Sequence, residues 1–224
     1  MIKKALLFSI ITALFSGLSA DGSVIEKMYQ KLSGFYEKNQ GVISVRELSA
    51  VSKDPETGKV LKKFSAKIER TDYFYKTPVI KALQYTENGE ENSVKNYDTR
   101  EIEPVYPVFD KKGKDNYTLE ILGSENVDGR NCLKIKVVPR KISMRHFTGE
   151  IFIDPGKLEI VKMKGSPSKL HWAMKEFSFE YLFAALDGFP VVKSAKVKAR
   201  VKVALFVSDN ITDYEVEALS NRFF

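Results

Sequence analysis

Val191–Val207 reads V-V-K-S-A-K-V-K-A-R-V-K-V-A-L-F-V. From Ala195 the odd positions, Ala195, Val197, Ala199, Val201, Val203, Leu205 and Val207, are all apolar, while the even positions open with Lys196, Lys198, Arg200 and Lys202. Side chains alternate across a strand, so this pattern predicts one buried face and one wet face. A helix would scatter the four basic residues around its circumference and leave no apolar side. The stretch from Ala195 to Val207 would span roughly 43 Å at about 3.3 Å per residue, against a usual strand of about five or six residues. A strand that long implies a wide, curved antiparallel sheet as the body of the molecule.

The flanking sequence repeats the signal. Phe177, Phe179, Tyr181 and Phe183 line one face of the preceding strand, and Asp187-Gly188 turns the chain between the two. Asn210–Val216 reads as a short final strand. Upstream, strands are expected at Val42–Lys53, Val60–Tyr75, Pro78–Thr86, Val94–Tyr97, Tyr117–Leu122, Asn131–Val138, Gly149–Asp154 and Leu158–Lys164. Pro55-Glu56-Thr57-Gly58, Asn88-Gly89, Asp128-Gly129 and Asp154-Pro155-Gly156 supply turns between them. Thr99–Asp115, with Pro104 and Pro107, reads as an irregular loop over the sheet, and Gly165–Leu170 as a Ser/Pro loop.

One helix is expected. Ser23 and Glu26 fit a capping box, Ile25, Met28, Tyr29, Leu32, Phe35 and Tyr36 form a stripe at helical spacing, and Gly41 ends the segment. One helix cannot cover so wide a sheet from outside, so the sheet should curl around it. The expected fold is therefore mainly β (α+β): a curved antiparallel half-open β-barrel wrapped around an N-terminal amphipathic helix. Residues 21–224 are expected to form a single domain of this kind.

Lys3 and Lys4, the apolar run Ala5–Phe15 and the small residues ending at Ala20 read as a secretory signal peptide spanning residues 1–20. The run falls short of the roughly 20 apolar residues a membrane span needs. The protein is therefore expected in the periplasm, as a monomer. A net charge of +7 over 224 residues favours anionic partners, but export argues against nucleic acid. Cys132 is the only cysteine, which excludes an internal disulfide and, so far from the leader, a lipid-modified N-terminus.

Catalytic signatures are missing. His146 and His171 are the only histidines and lie at no metal-ligand spacing, and neither a nucleophile elbow nor a phosphate loop occurs. The expectation is no enzyme, no metal and no cofactor. Two features stand out instead. The ladder Lys196, Lys198, Arg200 and Lys202 is either a solvated outer face or a docking patch for anionic lipid or an acidic partner. Arg70 continues the inward parity of Phe64, Ala66 and Ile68, so it either needs a buried partner or headgroup, or lies at the strand end in water.

Several motifs together carry a resemblance. Glu69-Arg70-Thr71-Asp72 closes the second strand, and Thr86-Glu87-Asn88-Gly89 with Val94-Lys95-Asn96-Tyr97 looks like a hairpin that displays a tyrosine. Val127-Asp128-Gly129-Arg130-Asn131-Cys132-Leu133-Lys134-Ile135 is followed by Pro139-Arg140-Lys141, then by Gly149-Glu150-Ile151-Phe152-Ile153-Asp154 and Leu158-Glu159-Ile160-Val161. This order resembles the outer-membrane lipoprotein-sorting superfamily of the LolA/LolB type, as a divergent member. The resemblance implies that residues 21–224 are a single LolA/LolB-like domain, an unclosed β-barrel with helices as a lid over a hydrophobic cavity that carries acyl chains across the periplasm. Arg70 would stand where the family has its lid-latching arginine. The family's Lys-Arg-Pro-Asn reads Glu69-Arg70-Thr71-Asp72 here, and a proline-bearing loop replaces the lid helices at Thr99–Asp115.

The expected function is a periplasmic carrier or binder of lipid or of a lipidated protein, taken from and passed to membrane-associated donors and acceptors. The cavity would be lined by Tyr29, Leu32, Phe64, Ile68, Arg70, Leu133, Ile135, Phe177, Phe179, Val197 and Val201. The alternative is an envelope sensor or interaction module on the same fold. It would bind an acidic partner through Lys196, Lys198, Arg200 and Lys202.

Overall fold

The computed structural model describes residues 22–38, 40–73, 78–94, 107–110, 112–201 and 210–224. The leader, Lys202 and the apolar positions Val203, Leu205 and Val207 lie outside the described residues. Helix α1 (22–38) leads into strands β1 (Gly41–Lys53), β2 (Val60–Tyr73), β3 (Val79–Glu87) and the two-residue β4 (Glu90–Glu91). A single helical turn, α2 (Gly113–Asn116), precedes β5 (Tyr117–Val127), β6 (Arg130–Pro139), β7 (Phe147–Asp154), β8 (Glu159–Pro167), β9 (Met174–Leu186), β10 (Phe189–Val201) and β11 (Asn210–Phe223).

All eleven strands form one sheet in the order β4-β3-β2-β1-β11-β10-β9-β8-β7-β6-β5. The chain walks out from β1 to one edge and crosses to the other edge at β5. It then returns hairpin by hairpin until β11 pairs with β1. Every described pairing is antiparallel, and β4 and β5 remain edges, so the sheet is curved but unclosed. The expected fold class is the observed one.

Local alternation explains the two faces. In β10, Ala195 and Ala199 are buried and Lys196 and Lys198 exposed, as period two requires. Register then lines outward charges of opposite sign across neighbouring strands. Lys162 meets Glu180 at 2.9 Å, Lys164 meets Glu150 at 2.9 Å, Lys136 meets Glu120 at 3.0 Å and Lys53 meets Asp213 at 3.1 Å. Surface pairs of this kind, here half-buried or exposed, are worth about 0–1 kcal/mol each, so the checkerboard sets solubility and strand matching more than stability.

Stability comes from the other face. Met28, Tyr29 and Leu32 of α1 are buried against Leu133, Ile135 and Val137 of β6, Phe147, Ile151 and Ile153 of β7, Phe179 of β9 and Phe189 and Val191 of β10. The rings of Phe35 and Tyr36 reach Phe189 at 5.5 and 5.6 Å. Lys31 donates to the Leu158 carbonyl at 2.8 Å, which ties α1 to the β7–β8 turn. Ser23 lies within the first turn of α1 rather than at the expected cap.

Several boundaries differ from the sequence reading. β11 runs to Phe223, because β1 pairs with it from Val42↔Phe223 to Lys53↔Ile211. That long-range partner holds the polar Ser220-Asn221-Arg222 in strand, where the local pattern signals an end. β5 likewise continues to Val127 along β6. Gly165 is strand rather than loop: it pairs with Gly149, and the Phe147 ring lies against both glycines, where a Cβ would collide with backbone. Val94 is not in a strand, and the rest of Val94–Tyr97 lies outside the described residues. In the expected loop Thr99–Asp115, the described part packs. Phe109 is buried edge-on to Tyr29 at 5.2 Å, and Lys114 of α2 pairs with Glu26 at 2.7 Å.

Candidate functional site

Ser44 and Arg46 interrupt the inward row of β1, where Val42, Leu48 and Ala50 are otherwise apolar. Antiparallel register sets Ser44 opposite Arg70 and Val42 opposite Asp72 on β2, so three charged side chains converge on the apolar face. The Asp72 carboxylate accepts from Arg46 Nη2 at 2.7 Å on one oxygen and from Arg70 Nε at 2.7 Å on the other. Arg46 Nε donates to Ser44 Oγ at 2.8 Å. The Arg46 side chain is only 13% exposed, against 28% for Arg70.

Two guanidiniums share one carboxylate, which leaves a surplus positive charge. Burial pulls the Arg46 guanidinium below its ordinary pKa; Asp72 opposes that shift and Arg70 adds to it. Burial raises the nearby Tyr181 hydroxyl, partly offset by Arg70 and Arg46. Across β11 from Ser44 stands Asn221, whose Oδ1 is buried and has no hydrogen-bond partner. Amide oxygen and nitrogen are assigned by the bonds they make, so this side chain can present a donor to an anion. Arginine forks match carboxylate and phosphate oxygens.

The cluster lies between two apolar regions. On one side is the core under α1, which Tyr181 joins at its margin. On the other, Ala66, Ile68 and Tyr85 form a separate cluster with Leu48, Phe64 and Ile80, which α1 does not enter. Phe64 meets Tyr214 edge-on at 5.8 Å, carrying this surface across β1 to β11.

The predicted liners divide accordingly. Tyr29, Leu32, Leu133, Ile135 and Phe179 are packed core, with Phe177 and Val197 at its edge. Phe64 and Ile68 belong to the second cluster, and Val201 is half-buried and in neither. Arg70 pairs with Asp72, and both side chains are half-buried. Arg46, Asp72, Ser44 and Asn221 were missed in the sequence, although Ser44 and Arg46 on an inward parity were a readable signal.

The basic ladder is one row of the checkerboard. Lys196 stands 4.0 Å from Glu215, Arg200 stands 3.7 Å from Glu176, and Lys198 is opposite Asp213 in register. Two grooves of about 970 and 850 Å³ both have Ser49, Lys196 and Glu215 in their walls, and the larger is also lined by the predicted Phe177, Phe179 and Val197. Among the described residues, no group of His, Cys, Asp and Glu could hold a metal ion. Cys132 is buried, and that burial raises its thiol pKa. No described helix is long and apolar enough to cross a membrane.

No family model and no curated protein matches the chain. Solved structures do. An outer membrane lipoprotein-sorting protein domain from Vibrio parahaemolyticus is 10% identical, with 89% of this chain and 93% of that one covered and a TM-score of 0.40. A LolA superfamily protein from Nitrosomonas europaea is 8% identical over 91% and 93% of the two chains, with a TM-score of 0.43. A DUF1329 family protein from Desulfovibrio piger is 13% identical over 92% of each chain, with a TM-score of 0.42. Two of these three solved proteins are of the lipoprotein-sorting and LolA type.

Proposed function

We propose that the protein is a periplasmic binder and carrier of lipid or of a lipidated protein, exported through its cleaved leader. The observation that carries the reading is the Arg46–Asp72–Arg70 cluster, set between two apolar regions on the inner face of an open sheet. An amphiphile would lay its chain on the second apolar region and bring an anionic head to the surplus charge. Each methylene removed from water contributes about 0.8 kcal/mol, so affinity requires no chemistry on the cargo.

The alternative, capture of an acidic partner by Lys196, Lys198, Arg200 and Lys202, draws less support. Glu215, Asp213 and Glu176 already face the three described basic residues. The test is extraction and mass spectrometry of lipid from natively purified protein, together with titration of a fluorescent long-chain carboxylate. Uptake should saturate and weaken about tenfold or more in Arg46→Gln, the loss expected for one charge-assisted bond. A protein that carries no lipid and takes up none of the probe would overturn the reading.

A further inference from the structure

The two most exposed large apolar side chains among the described residues are Trp172, 79% exposed, and Ile142, 77% exposed. They stand on different loops, Trp172 between β8 and β9 and Ile142 between β6 and β7. Met144 on the second loop is also exposed. The loops leave the same end of the sheet and are fastened together. Ser143 N donates to Ser168 Oγ at 3.0 Å, Ser168 Oγ donates to the Ser143 carbonyl at 3.0 Å, and Ser168 N donates to the His146 carbonyl at 2.6 Å.

The pair has a firm base. His146 shares a 2.6 Å hydrogen bond with Ser143 Oγ, and its ring meets buried Tyr117 at 5.8 Å. Tyr117 Oη in turn accepts from Phe147 N at 3.2 Å. Met174 N donates to the His171 carbonyl at 2.8 Å, closing the turn that carries Trp172. These apolar tips are therefore held outward by structure.

Within the two loops the charge is of one sign, and Glu176 follows directly after Lys175. Arg140, Lys141, Arg145, Lys169 and Lys175 lie within the two loops or at their ends, and neither 140–146 nor 168–175 contains an Asp or Glu. We infer that this tip docks on an anionic lipid surface. Trp172, Ile142 and Met144 would enter the headgroup region, and the exposed Arg140, Lys141, Lys169 and Lys175 would pair with lipid phosphates.

Size and shape favour a membrane over a protein partner. A stable protein interface needs about 800 Å² from each side, whereas this tip offers three separated apolar side chains. A lipid surface needs only a few inserted side chains and a basic collar, and tryptophan is suited to the interface by its apolar body and polar N–H. The inference is independent of the inner-face cluster and survives if that site binds nothing.

Trp172 is the only tryptophan, so its emission reports the tip directly. The purified protein is titrated with phosphatidylcholine vesicles carrying about a third phosphatidylglycerol, and with pure phosphatidylcholine vesicles as the comparison. The expected result is a blue shift and quenching by brominated lipid on the anionic vesicles only, reversed by high salt. Ile142→Ser should lose most co-sedimentation, and Lys141→Gln and Lys169→Gln about fivefold each. Unchanged emission on anionic vesicles overturns the inference, as does equal binding to neutral ones. A folded Ile142→Ser that sediments like the parent overturns it too, and so does a blue shift with polyglutamate alone.

Discussion

Arg46 and Asp72 show how one polar pair changes the meaning of an apolar face. Neither residue is unusual in sequence; what matters is that the β1–β2 register brings both beside Arg70. Asp72→Asn removes the shared carboxylate and leaves two guanidiniums facing each other. It should destabilise the fold by about 1–3 kcal/mol, below the range for a fully buried pair because Asp72 is partly exposed. The same change should tighten uptake of an anionic amphiphile. Urea unfolding and probe titration on one preparation check both signs, and weaker uptake would argue against an anion site.

His146 offers a second residue-level test. Burial pulls its pKa below the ordinary value, and Lys141 and Arg145 add to the effect. The unfolded chain then takes up the proton first, at about pH 6.5. The contribution is steady above that pH and is lost as pH falls from about 6.5 toward the folded value, with no further loss below it. Melting at pH 5.5 should sit lower than at pH 7.5 on this account. His146→Phe should shrink that difference, and an equal difference in the variant would show that other groups cause it.

At the scale of elements, α1 and the β7–β8 glycines make opposite demands. Leu32 is 1% exposed in the core under the sheet, and Leu32→Ala should cost about 2–5 kcal/mol. Gly165→Ala adds a single methyl group where backbone and the Phe147 ring leave no room, and should cost about 1–3 kcal/mol by overpacking. Chemical denaturation of the two variants measures both. The stripe of α1 was legible because a 3.6-residue period is local. The place of Gly165 was not, because a glycine beside serine and proline looks like a loop until Gly149 is opposite it.

Over the whole molecule, β11 is the strand on which both halves depend. It joins the β1–β4 half to the β5–β10 half. A chain ending at residue 209 would expose the edges of β1 and β10 and lose the Phe223 contact with Phe35 and Phe189. Such a chain should fail to give a cooperative melt by circular dichroism, and a cooperative one would show that the halves fold without it. The arginine cluster and the apolar tip also lie toward opposite ends of the strands. From Tyr181 to Met174 along β9 is about 23 Å at about 3.3 Å per residue. A head held at Arg46 would then lie far from a membrane touched by Trp172.

Sequence alone determined the alternation of β10, the turns, the helix and hence an open β-sheet around one apolar stripe. Each of these is settled by neighbours a few residues apart. Tertiary structure decided the rest: that β11 runs to Phe223, that the Lys196 ladder faces carboxylates, that Arg46 meets Asp72 and that Ser143 ties the loop of Ile142 to the loop of Trp172 through Ser168. The physical reason is register. A strand's own pattern says which side chains share a face, but which charge meets which depends on pairing with a strand up to about 180 residues away, as Val42 pairs with Phe223.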